Sequence, residues 1–600
     1  MEEAYRCGPI ARFSLGSGYE LVRFPLAGFN KRLPSAVADA LVGWTSFQTL
    51  SDAASVITRA IQSFPFAECL SLFEDLKSRG GLVAKSSLLS AKGRRDASAK
   101  DEQIPFLAIG SWDSTECLQS SIETYAENIL EFGHKCTILL ANDQSERASQ
   151  LACERMLESR FSRSAVPIAY LGPDQELAFL GEMRRICTAP QRVLEFLVLG
   201  RPFNRETGAS GNALLLSTVG SRLLRVRAGT ACTAYRLSEL GTPKAASLEL
   251  AGHSPAEELW TFPDKDAALA YVQAEEVDLL REHGQFLGQR LDKIVSNGST
   301  AYSSSSFTLC DHLLMSAVSN VPIVRATCTG AMEILNATTE EAIAPRYSRE
   351  TFTDDRLPKR SSYAVRHVFC TSISHVPSSA RSPVCGLDNK ISLPPFMPNC
   401  GPNEDKVFAT LLTLDDDDSC VAHLPFALWT VEIEHPEKSF SEDIHMGDVI
   451  LQIVRAWSPA PTSGQLSERL QALGHHMCAL SSLNTEDFEE YVTFVMCCWM
   501  SRRIVAMEKL LGRQSFSPRS WAMRIEQRIT TLRQISRNLT TALQVVLDGV
   551  GCAMSLKEYC DLCGQALVCW PDIRRAAASL RTESNEPFGA RLFGARNGLH

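Results

Sequence analysis

The sequence predicts an α/β core flanked by helical modules, and three observations carry that reading. Apolar runs of strand length alternate with amphipathic helical stretches between residues 104 and 199. A polar, small-residue segment (SSLLSAKGRRDASAKDEQ, 86–103) precedes them. Beyond about residue 440 the apolar periodicity is purely helical. Strands separated by helices of this length imply right-handed crossovers and a mainly parallel sheet, with ligands bound beyond the carboxyl ends of its strands.

The elements follow in order. Residues 1–90 read as a small helical or winged-helix-like domain: 50–76 carries apolar positions at helical spacing, and Arg79-Gly80-Gly81 stops it before an extended piece, 82–84. A linker, 91–103, leads to the core domain, 104–435. Its predicted strands are 104–112, 136–143 and 166–172, and its helices 114–132, 146–163 and 176–199. A Gly-rich helix start opens 208–220, and the strand 222–229 follows. The Ser-rich run 301–307 reads as a surface loop, and the aspartates 415–418 as a solvated loop between a helix and a strand. A helical domain spans 440–585. Within it Asn484-Thr485-Glu486-Asp487 is a helix start, with a capping side chain and acidic residues in the first turn. Helical periodicity runs on to about 511, over 521–547 and over 555–570, and 586–600 is a flexible tail.

Composition narrows the function classes. The chain has 600 residues, 45% hydrophobic and 22% charged, which is an ordinary globular balance over several domains. Its net charge is −9, with no basic block long enough for a nucleic-acid footprint, so nucleic acid is not expected as a partner. The start, MEEAYRCGPI, lacks the apolar core of a signal peptide. The most apolar short run, 492–500, is far below the ~20 residues of a membrane span. A cytoplasmic protein is expected. Its 20 cysteines are scattered, often within apolar runs, and read as buried reduced thiols. Cys560-x-x-Cys563, with Cys552 and Cys569 nearby, reads as core packing ahead of structural zinc.

Four places in the chain resemble family 2 glycosyltransferases of bacterial type, which carry the GT-A fold. The first strand and helix (PFLAIGSWDSTECLQSSIETYAEN), with the second strand ending Ala141-Asn142-Asp143, are similar to the nucleotide-binding half. GASGNALLLSTVG and the strand after it are similar to the part that leads to the metal motif. GLDNKISLPPFMP followed by Asn403-Glu404-Asp405 resembles the acceptor side, and His423 with Leu424-Pro425 the closing element. The resemblance implies a protein that binds a nucleotide diphosphate sugar. Asn142, Asp143 and Asn212 would contact the nucleotide sugar, with Asp143 at the uracil or ribose. Asp405 would be the general base, with Glu404 beside it. Read without the resemblance, Asn403-Glu404-Asp405 is a helix start, an Asn cap followed by carboxylates on the dipole. His423 would be a late metal or phosphate ligand, or a packed histidine.

One departure bears on mechanism. Where the family holds Mg²⁺ or Mn²⁺ with aspartates, this chain has Arg227-Ala228-Gly229, so no divalent cofactor is expected. Arg225 and Arg227 lie two apart on a strand and share a face, where they could neutralise the diphosphate instead. The alternative is a degenerate, non-catalytic scaffold whose helical domains recruit a protein or peptide. The sugar and the acceptor, a peptide or protein among the candidates, are left open.

Overall fold

The computed structural model describes residues 3–84, 103–302, 320–331, 363–374, 384–430, 444–513, 519–549 and 553–584, less short breaks at 8–9, 17, 25–28, 45–47, 62–63, 111–113, 142–146, 204–206, 238–246, 252–257, 263–264, 297–298, 368–370, 415–418 and 458–464. Among these residues fourteen strands join in one mixed sheet. Ile168–Leu171, Thr137–Ala141, Phe106–Gly110 and Arg222–Arg227 lie side by side in that order, all parallel. The chain therefore builds outward from Phe106–Gly110 in one direction and returns to its other side for Arg222–Arg227.

Local sequence explains these pieces. Ser114 caps the crossover helix Thr115–Glu131 by accepting from the Cys117 amide at 3.2 Å. Gly133, at φ 67°, turns the chain away after it. Leu118, Ile122, Tyr125 and Ile129 recur at helical spacing and are fully buried against the sheet, each adding ~1.5–3 kcal/mol of apolar burial.

The sheet departs from the mainly parallel expectation beyond Arg222–Arg227. Val384–Asp388 runs antiparallel to that strand, and Asn320–Ala331 antiparallel to Val384–Asp388. Ser419–Thr430 pairs parallel with Asn320–Ala331 and antiparallel with Ser372–Ser374; Ser247–Ala251 and Ser299–Tyr302 follow in parallel. Thr230–Leu237, Glu258–Phe262, Val272–Glu275 and Tyr363–His367 branch from this path. Antiparallel neighbours need no crossover helix, so the alternation legible over 104–199 gives no guide to the strands after it. Ala301 and Tyr302 are strand residues rather than loop; 303–307 and the aspartates 415–418 lie outside the described residues. The expected helix over 176–199 is two, Pro173–Ile186 and Gln191–Leu199. Pro190 disfavours helix in the residue before it and accounts for the break.

The N-terminal segment contains more than helices. Leu50–Ala60, Phe66–Ser78 and the strand Leu82–Ala84 follow the sequence pattern, with Thr49 accepting from the Asp52 amide as cap. Ahead of them Ala11–Ser14, Tyr19–Phe24 and Phe29–Pro34 form an antiparallel sheet that the periodicity did not reveal. In the middle strand only Val22 and Phe24 are buried, too short an alternation to read. Leu82–Ala84 pairs with Tyr5–Cys7 and ties the two ends of this segment together around its own apolar core.

After residue 444 every described element is a helix: Met446–Ala456, Leu466–Ser482, Thr485–Arg513, Arg519–Arg537, Leu539–Leu547 and Leu556–Ser584. Asn484 caps the third, accepting from the Asp487 amide at 2.8 Å. Leu466–Ser482 and Leu556–Ser584 cross closely, since a Cβ on Gly474 would meet the Gly564 carbonyl at 2.6 Å. These helices share the sheet's core: Leu223, Ile323 and Leu387 of the strands cluster with Leu470, Leu562 and Trp570. Cys560 and Cys563 are buried in that core, while Cys552 lies outside the described residues.

Candidate functional site

Leu223, Arg225 and Arg227 alternate with Leu224 and Val226, so the two arginines share the sheet face that carries Leu223. On that face Arg225 stands opposite Cys385, Cys385 opposite Arg325, and Arg325 opposite His423. One polar row therefore crosses four strands of the sheet. Burial pushes the Cys385 thiol up, with Arg325 opposing and Asp405 adding to the shift.

Above this row runs the irregular segment 389–400, held by side chains from distant elements. Backbone groups in a buried segment without regular structure need such partners. The Asn212 amide donates to the carbonyls of Leu197 at 3.0 Å and Phe396 at 2.8 Å, and its oxygen accepts from the Phe396 amide at 2.8 Å. Trp570 donates to the Leu393 carbonyl at 2.7 Å. Arg574 donates to Asn389 Oδ1 at 2.7 Å and to the Ile391 carbonyl at 2.8 Å. Tyr559 donates to the Pro398 carbonyl. The approach is close enough to explain the glycines of GASGN: a Cβ on Gly208 would meet Pro398 Cα at 2.8 Å, and one on Gly211 the Phe396 ring at 2.8 Å.

The segment ends in a 3₁₀ turn, Gly401–Asn403, and the helix Glu404–Leu412. Asn403 does not cap this helix; its amide donates to Asp448 Oδ1 at 2.8 Å and ties the turn to Met446–Ala456. Glu404 and Asp405 occupy the first helical turn, where the dipole favours carboxylates. Arg225 reaches both. It donates to Asp405 Oδ1 at 3.2 Å and lies 3.7 Å from Glu404 Oε1. Its guanidinium also sits 4.7 Å above the Phe396 ring, which stacks on Phe408 at 4.2 Å. The Glu404 side chain is 6% exposed and that of Asp405 31%, so Asp405 is the carboxylate a solute can reach.

Arg227 ends its strand opposite Gly110, which in turn stands opposite Ala141. The three strand ends thus lie level, and Arg227 is half-buried. The turn after it is pinned: the Ala228 amide donates to the Gly110 carbonyl at 3.0 Å, and the Gly229 amide to Ser121 Oγ at 2.9 Å. Gly229 has φ 82°, which favours glycine, and Ala228 is fully buried among apolar side chains. The side chains of Arg227, Ala228 and Gly229 offer no oxygen ligand, so this turn does not fit a hard divalent cation. Among the described residues no group of three His, Cys, Asp or Glu side chains is placed to hold a metal.

The structure thus brings together Arg225, Glu404 and Asp405, with Arg227 one alternate residue along the same strand face. It gives Asn212 a different place from the expected one: its amide is spent on three backbone bonds inside the core. His423 is buried mid-strand, its Nε2 3.2 Å from Ser374 Oγ. Burial, with Arg325 adding, pulls its pKa down to about 3, so it is neutral at physiological pH. Asn142 and Asp143 lie outside the described residues; the described strand stops at Ala141, level with Gly110 and Arg227. Sequence reasoning missed Arg325 and Cys385. A single arginine inside the apolar run of NVPIVRATC was the available signal, since a buried charge needs a local reason.

No family model, no curated protein and no solved structure matches this chain. Among the described residues no helix is long and apolar enough to cross a membrane.

Proposed function

We propose that the chain is a glycosyltransferase-like protein with a GT-A-type core. In this reading it binds a nucleotide diphosphate sugar at the carboxyl edge of the parallel strands, and Arg227 faces the diphosphate where a divalent cation would otherwise sit. The observation that carries the reading is the reversal of strand order beside Phe106–Gly110. Open α/β sheets take their ligands at such a reversal, and here Gly110, Ala141 and Arg227 end level beside it. Asp405 supports the transfer half, as a partly exposed helix carboxylate that Arg225 meets from the same sheet face. It would take the proton of an acceptor hydroxyl as that oxygen bonds to the anomeric carbon. The bond from that carbon to the diphosphate breaks, and a guanidinium meets the charge left on the departing oxygen.

A second reading, a non-catalytic scaffold that recruits a protein or peptide, is favoured by different observations. Arg225 is already engaged by two carboxylates, and Asn212 is consumed by backbone bonds.

Melting curves of the full chain with a panel of nucleotide diphosphate sugars separate the two. Binding to the folded state must raise the melting temperature. The transferase reading expects at least one sugar nucleotide to do so, and to lose its effect in Arg227→Ala. A panel that shifts nothing leaves the scaffold reading standing.

A further inference from the structure

The helices Thr485–Arg513 and Arg519–Arg537 carry a charge that neither the sheet nor the proposed site uses. Residues 501–537 hold nine basic and two acidic side chains, in a chain whose net charge is −9. Along the second helix arginines recur at 519, 524, 528, 533 and 537, four or five apart, so no basic run forms in the sequence. The two helices pack on each other as one arm. The arm closes on a small apolar core of its own, Met507, Ile525, Ile529 and Leu532, separate from the core of the sheet. Arg502, Lys509, Arg533 and Arg537 are exposed on it. Arg533 is bridged to Glu508 at 2.5 Å.

We infer that this arm is a docking surface for an acidic polypeptide segment. Charge complementarity points there, and the geometry disfavours the other anionic partners. A membrane-surface helix needs an apolar face to bury in lipid. The arm's apolar stripe is turned inward, and the large apolar side chains left exposed among the described residues of its two helices, Phe494, Val505 and Met523, are scattered singly. A nucleic acid would extend beyond the arm over a chain that is otherwise acidic, where the field opposes it. A short acidic segment fits instead: 19 helical residues of Arg519–Arg537 span about 28 Å, the reach of roughly nine extended residues. The inference stands apart from the sugar-nucleotide reading, since it needs no catalysis.

The test uses the full chain and a fluorescein-labelled peptide alternating glutamate and serine, followed by anisotropy. Saturable binding is expected at about 50 mM salt, weakening markedly at about 300 mM as exposed charges are screened. Arg502→Glu, Lys509→Glu and Arg537→Glu together should weaken it by about tenfold or more. Their exposure means the variant should melt with the wild type, which separates lost docking from lost folding. Unchanged peptide affinity in the variant would overturn the inference. So would tighter binding of a single-stranded oligonucleotide of equal charge, or of phosphatidylserine vesicles. Self-association of the wild type that the variant abolishes would make a second copy the occupant, and would overturn it too.

Discussion

Arg225 donates to Asp405 at 3.2 Å across 180 residues of sequence. The strand cation expected to meet a diphosphate is thereby tied to the carboxylate expected to act as base, and the same guanidinium lies 3.7 Å from Glu404. Within the proposed site this gives the two arginines different work. Arg225 fixes the start of the helix Glu404–Leu412, and Arg227 is the cation left for a ligand.

Removing Arg225 should therefore be costly. Arg225→Ala removes the cation 3.7 Å from Glu404, a carboxylate that is only 6% exposed. Loss of the charged hydrogen bond to Asp405 and of a counter-charge beside buried Glu404 predicts destabilisation of about 2–3 kcal/mol. Urea unfolding checks it, with one internal control: Glu404→Gln in the Arg225→Ala background should restore part of the loss. A double variant no more stable than Arg225→Ala would mean that Glu404 does not depend on this cation.

Arg574 holds the start of the segment 389–400, donating to Asn389 Oδ1 and the Ile391 carbonyl while itself 7% exposed. Arg574→Ala leaves buried acceptors without donors and should cost about 3 kcal/mol. Arg574→Lys should recover little, because an ammonium does not reproduce the planar fork. Denaturation midpoints of the two variants give the comparison; full recovery by lysine would show that only charge matters there.

Asn212 makes a sharper distinction between structure and binding. Its three bonds to Leu197 and Phe396 predict that Asn212→Leu destabilises by about 3 kcal/mol. Nucleotide affinity of the remaining folded protein should be unchanged. Calorimetric titration below the variant's melting range would expose any direct role, as a loss of affinity without a loss of fold.

How far the sequence could be read follows from these residues. The parallel strands were legible because βαβ units repeat apolar runs and amphipathic helices at fixed lengths. Glu404 and Asp405 were legible as a helix start, and the strand Arg222–Arg227 placed both arginines on one face. Their partners were not. Nothing local to Arg225 announces a carboxylate 180 positions away, and Asn212 in a Gly-rich helix start looks the same whether it meets a ligand or a neighbouring carbonyl. Asn403 likewise read as a helix cap, yet it donates to Asp448. The strands after Arg222–Arg227 stayed hidden because no regular strand–helix alternation marks them off, and the N-terminal strands because their buried alternation spans only a few residues.

The buried histidines contribute to the acid limb of stability. Burial pulls His423 down to about 3, with Arg325 adding, and His283 down to about 4, against an ordinary value of 6.5. The unfolded chain then binds protons that the folded chain does not. Their contribution is complete above about pH 6.5 and is lost as pH falls towards 4 and then 3. Each histidine steepens the fall by up to about 1.4 kcal/mol per pH unit inside that window. Unfolding free energies at neutral and mildly acidic pH check this: His423→Gln should lose less stability on acidification than the wild type. An equal loss in both would rule out His423 as a source.

The central claim is that an arginine, not a metal, meets the diphosphate at the carboxyl edge of Phe106–Gly110 and Arg222–Arg227. Titration calorimetry of uridine diphosphate into the full chain, run with EDTA and again with Mn²⁺, tests it most directly. The account predicts the same affinity in both conditions, and a loss of about tenfold or more in Arg227→Ala, as a charge-assisted contact is removed. Binding that requires Mn²⁺, or that survives Arg227→Ala unchanged, would contradict it.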